Sequence, residues 1–95
     1  MESKIGMKVI LLRQMLGNNV GAVGYVVEEY TDFDDKNKKG VSIVFSNGAI
    51  DGFSADEQRR FLQCLDVDPR YSMYEFNNVN QVWRDFKNNY WRFHE

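Results

Sequence analysis

Ninety-five residues, 43% hydrophobic and 15% aromatic, fit one globular domain spanning residues 1–95 and exclude a chain of several domains. Twelve basic against fourteen acidic side chains leave a net charge of −2, far from a polycation drawn to phosphate or anionic lipid and equally far from a DNA mimic. One cysteine, Cys64, and one histidine, His94, exclude an internal disulfide and a Cys/His zinc cluster.

The opening residues Met1-Glu2-Ser3-Lys4-Ile5-Gly6 hold no apolar run of the kind a signal peptide needs. No stretch approaches ~18 consecutive apolar residues, so no membrane partner is expected, and a cytoplasmic location is. Met7–Leu12 is apolar and β-branched and predicts a first strand. Leu16–Gly21 is loop-like, because Gly and Asn tolerate positive φ. A second strand, about Ala22–Tyr30, puts Val23, Tyr25 and Val27 on one face and Val26 on the other, with Gly24 marking a bulge or close approach.

Thr31–Gly40 is polar and charged and reads as a hairpin tip. Val41–Phe45 alternates with Val41, Ile43 and Phe45 on one face, and Asn47-Gly48 then predicts a type I′ hairpin turn into a fourth strand, Ala49–Phe53. Ser54-Ala55-Asp56-Glu57 is a capping box that opens a helix over about 55–65, with Phe61, Leu62 and Leu65 on one side. Asp66-Val67-Asp68-Pro69 stops it, and the aromatic run Tyr71–Phe76 is a candidate fifth strand. The last helix, about 78–89, carries Val79, Val82, Trp83, Phe86 and Tyr90 as one stripe, with Asn77 or Asn78 as its N-cap. That stripe is expected to be core.

The expected fold is therefore α+β: an antiparallel barrel or curled sheet of four to five strands, a short helix, and a C-terminal amphipathic helix. Val20-Gly-Ala-Val-Gly-Tyr-Val-Val27 and Val41-Ser-Ile-Val-Phe-Ser-Asn-Gly48 resemble the first hairpins of SH3-like barrels, including KOW-type domains. The resemblance covers roughly residues 7–65 and implies a small barrel, with nucleic-acid binding as one function found on it. KOW-type domains in nucleic-acid machinery are usually basic, whereas this chain is not. In size and texture the chain also resembles small accessory proteins of tailed phages.

No catalytic constellation emerges from the residues, and none is expected. A nucleophile needs a neighbouring base, and His94 is penultimate. Cys64 reads as a small buried hydrophobe of the first helix. Asp32, Asp34 and Asp35 open like a calcium loop, but the pattern fails at Lys36, Asn37 and Ile43. Asp66 and Asp68 are turn residues, and the glycines at 17, 21 and 24 match no phosphate-binding fingerprint. No cofactor and no metal is expected.

What remains is surface. Arg59 and Arg60 fall on the wet side of the first helix, and Arg84, Lys87 and Arg92 lie off the aromatic stripe. Tyr30, Phe33, Tyr71, Tyr74, Trp91 and Phe93 are surplus to what so small a core can hold, so some should be exposed, and exposed aromatics mark interfaces. The expected function is a non-enzymatic protein-binding module, of the kind that inhibits or modulates a larger host complex. Its expected contacts are Tyr30, Phe33, Lys36, Lys38 and Lys39 on the tip and Trp91, Arg92 and Phe93 in the tail. A homodimer closed by the aromatics is a variant of this reading, and a nucleic-acid-binding small barrel is the alternative.

Overall fold

A computed structural model describes residues 4–31 and 39–93. The elements run β1 (Met7–Leu11), β2 (Val23–Thr31), β3 (Lys39–Phe45), β4 (Ile50–Ser54), α1 (Ala55–Phe61), β5 (Leu62–Val67) and α2 (Val79–Lys87). The strands form one antiparallel sheet in the order β4-β3-β2-β1-β5. The sheet curls without closing, because β4 and β5 remain its two edges.

Side-chain alternation places Met7, Val9, Leu11, Val26, Val41, Ile43, Phe45, Phe53 and Leu62 in one buried cluster on the inner face. The expected pattern of Val41, Ile43 and Phe45 lies there. Tyr25, Val27 and Val44 point the other way and meet Tyr71, Tyr74, Val82, Trp91 and Phe93 in a second cluster. Both faces of β2 are thus covered, which is why Gly24–Val27 is buried without a break. A register shift after Val26 inserts one extra residue into β2, a β-bulge that bends the strand beyond it.

Four expectations change. The hairpin at Asn47-Gly48 is present, but it is not type I′. Gly48 has a φ of 88° while Asn47 is outside the left-handed region, and the Gly48 amide donates to Phe45 O at 2.8 Å. Ser46 and Asn47 are therefore the central pair, and Gly48 takes the left-handed third position of a three-residue loop closed by Phe45 and Ala49.

The capping box forms as expected: Ser54 Oγ accepts from the Glu57 amide at 3.2 Å, and Glu57 Oε1 accepts from the Ser54 amide at 3.0 Å. The helix it opens ends at Phe61, not Leu65. Leu62, Gln63 and Cys64 instead pair with Leu11, Ile10 and Val9. Satisfying the free edge of β1 overrides the local helical stripe, and Cys64 consequently sits half-buried on a strand.

The aromatic run after Pro69 is not a strand. It coils in successive turns, with Tyr71 N donating to Asp68 O at 3.0 Å and Tyr74 N to Tyr71 O at 3.1 Å.

The last helix starts as expected but ends at Lys87, so Tyr90, the last residue of the stripe, lies beyond it. Asn78 caps it, accepting from the Gln81 amide at 2.8 Å. At its end Asn89 is left-handed (φ 59°), Asn89 N donates to Phe86 O at 3.1 Å, and Tyr90 N donates to Asp85 O at 2.9 Å. That pair of bonds is a Schellman motif, which turns the chain back so that Trp91 and Phe93 reach the sheet.

Candidate interaction surface

The expected tail contacts are core. Trp91 is 4% exposed and Phe93 8%. Trp91 packs among Tyr25, Tyr71, Tyr74 and Tyr90, with ring centroids 4.8–5.8 Å apart. Its indole nitrogen is buried without a hydrogen-bond partner. An unmade bond costs about 1–3 kcal/mol; burying ~200 Å² of ring offsets it with about 5 kcal/mol. Arg92, between the two rings, is exposed, and its carbonyl accepts from Tyr25 Oη at 2.7 Å. The expected basic-aromatic tail surface is therefore split, its cation outside and its rings inside.

Tyr71 and Tyr74 are buried as well. Tyr71 Oη donates to Tyr90 O at 3.1 Å, and Tyr74 Oη donates to Asp85 Oδ2 at 2.6 Å. Burial first, and the Asp85 carboxylate second, push the Tyr74 hydroxyl well above its ordinary value; burial raises Tyr71 too. Asp68 fills its turn role, accepting from the Arg70 amide at 2.9 Å. Its carboxyl is held below the usual range chiefly by hydrogen bonding to the Arg70 side chain. Arg59 and Arg60 are exposed, as expected, and both reach Asp56.

Of the tip residues, Phe33, Lys36 and Lys38 lie outside the described residues, as do Asp32, Asp34, Asp35 and His94. Lys39 is exposed at the start of β3. Tyr30 is also exposed, but it lies flat on the sheet. A Cβ on Gly40 would come within 2.4 Å of its ring and one on Gly52 within 3.0 Å of its hydroxyl, so these glycines make room for it.

Besides Tyr30, the exposed large apolar side chains among the described residues are Leu12, Leu16, Val20, Met73, Val79, Trp83 and Tyr90, of which Val79, Trp83 and Tyr90 belong to the stripe expected to be core. Trp83 is 46% exposed, Val79 39% and Leu16 39%, whereas of the stripe only Val82 is fully buried. The reason is geometric. α2 is only nine residues long and touches the sheet along one narrow line through Val82 and Phe86, so its neighbouring positions face outward.

Hydrogen bonds link Trp83 and Leu16 to the Asn47-Gly48 turn. Trp83 Nε1 donates to Gly48 O at 3.1 Å, and Asn47 Nδ2 donates to Leu16 O at 3.0 Å. Phe86 packs on Gly48, where a Cβ would sit 3.2 Å from the ring.

Leu16 itself is unusual. Met15 and Asn18 exchange both backbone hydrogen bonds (3.1 and 2.8 Å), and Leu16 and Gly17 between them have φ of 55° and 76°. Two positive φ values at the centre of a doubly bonded pair make a type I′ turn, whose first position favours Asn, Asp or Gly. A leucine there hides the turn from sequence patterns. It also costs about 1 kcal/mol of backbone strain. Comparison with protein families, curated proteins and solved structures found no match.

Proposed function

We propose that this chain is a non-enzymatic protein-binding module acting in the cytoplasm, an inhibitor or modulator that seats on a larger protein complex through Leu16, Val79 and Trp83. Leu16 is the observation that carries the reading. Backbone strain at an exposed position is kept where the surroundings gain something from it, and here it holds an apolar side chain outward on a tight turn. Trp83 adds the residue type most enriched among interface hot spots, already fixed by its bond to Gly48. A rigid apolar anchor loses little side-chain entropy on binding.

A photocrosslinking amino acid placed at Asn80, beside Trp83, tests this against one placed at Arg59 on α1. Covalent capture of a protein from Asn80 and not from Arg59 is the expected result. Capture from Arg59 alone would move the contact to the other side of the molecule and overturn the assignment.

A further inference from the structure

The charge around this surface narrows what can seat on it. The chain is acidic overall, yet no Asp or Glu occurs from Ser3 to Val27, from Val41 to Ile50, or from Phe76 to Arg84. These are the segments that supply Leu16, Asn47, Gly48, Val79 and Trp83. Arg84 and Lys87 are exposed on α2, Lys87 one turn beyond Trp83. Of the carboxylates nearest along the chain, Asp85 accepts from Tyr74 Oη and Asp51 accepts from the Gly52 amide at 2.8 Å, whereas Glu75, four residues before Val79, is exposed. The Trp83 end of this apolar surface therefore has a cationic margin, Arg84 and Lys87, on a net-negative protein.

We propose that the partner contributes an acidic amphipathic segment, its apolar side chains covering Leu16, Val79 and Trp83 and its carboxylates meeting Arg84 and Lys87. This rests on the protein-binding reading and specifies the class of partner. A nucleic-acid strand fits less well. Trp83 offers a stacking face, but Leu16 and Val79 give a base or phosphate nothing to bond, and two cations supply little counterion release.

The test uses the full chain and two fluorescent helical peptides that share one leucine stripe, one with glutamate and the other with lysine at every remaining position, plus an oligothymidine. Binding is read by anisotropy at two salt concentrations and by the indole N–H resonances of the two tryptophans. The glutamate peptide should bind about tenfold tighter than the lysine peptide, with the margin shrinking as salt rises. It should shift the Trp83 indole signal and leave that of Trp91 in place. The R84E/K87E variant should reverse the preference, with an unmoved Trp91 signal reporting an intact fold.

Equal or better binding of the lysine peptide, or no binding of either, overturns the acidic class; capture from Asn80 would still uphold protein binding. Tighter binding of the oligothymidine with the Trp83 shift overturns both. A concentration-dependent dimer in light scattering that R84E/K87E leaves intact and the glutamate peptide fails to dissociate would assign the surface to a second copy and overturn the proposal.

Discussion

The two faces of the sheet are built by different rules. The inner cluster is mostly aliphatic, and most of it comes from alternating strand positions such as Val9, Leu11, Val41, Ile43 and Phe45. The outer cluster is aromatic. Its sheet contribution is small (Tyr25, Val27 and Val44), and Tyr71, Tyr74, Trp91 and Phe93 come from irregular chain on either side of α2. A curled sheet this short cannot cover its own convex face. The C-terminal third does so by inserting large rings from turns, each one substituting for several aliphatic side chains.

The two tryptophans provide the sharpest contrast. Trp91→Ala empties the centre of the outer cluster and should cost about 3–5 kcal/mol. Trp83→Ala removes a half-exposed ring and one hydrogen bond and should cost only about 1 kcal/mol. Urea denaturation of both variants measures this. An unchanged midpoint for Trp91→Ala would mean that the outer cluster is a dispensable cover and that the inner cluster alone holds the sheet.

That contrast also explains what could be read from the sequence. Strand alternation has a fixed period, so the inner face was legible down to individual residues such as Ile43 and Phe45. The capping box at Ser54 and Glu57 was equally plain, because it is a local motif. The two tryptophans sit opposite to where the sequence pattern puts them, for a physical reason. Trp83 sits on a helical stripe and looked like core, but α2 is too short and too narrowly seated to bury it. Trp91 follows the helix in a segment without period, and only the Schellman turn at Asn89 brings it inward. Leu62–Val67 failed similarly, since pairing with β1 is a long-range event that no local pattern reports.

The outer cluster should also be the part sensitive to alkali. Tyr74 is pushed above the ordinary tyrosine value of 10.0 by burial and by Asp85, and Tyr71 shares the direction. Below about pH 10 both folded and unfolded states keep these protons, so the contribution is fully present. Above it the unfolded chain ionises first, and stability falls by up to about 1.4 kcal/mol per pH unit for each such group until the folded values are reached. Tyr74→Phe should lower stability near neutrality by about 1.5 kcal/mol, since its bond is to a carboxylate, and should flatten the alkaline slope. Thermal melts from pH 8 to about pH 11 read both effects. A slope unchanged in Tyr74→Phe would place the sensitivity in other tyrosines.

The smallest effect is the most informative about function, because its sign in stability opposes its sign in binding. Leu16→Asn puts the residue that a type I′ turn favours at a φ of 55°. Relief of strain should raise stability by about 0.5 kcal/mol, the gain being limited by the part of Leu16 that is already buried. The same change removes an apolar anchor from the surface that also holds Val79 and Trp83, so binding of the acidic peptide should weaken several-fold. A variant that folds better and binds worse would identify Leu16 as retained for contact at a cost to the fold. Were Leu16→Asn to lose stability, the leucine would be holding the turn against Asn47 and Gly48, and its exposure would be a by-product of packing.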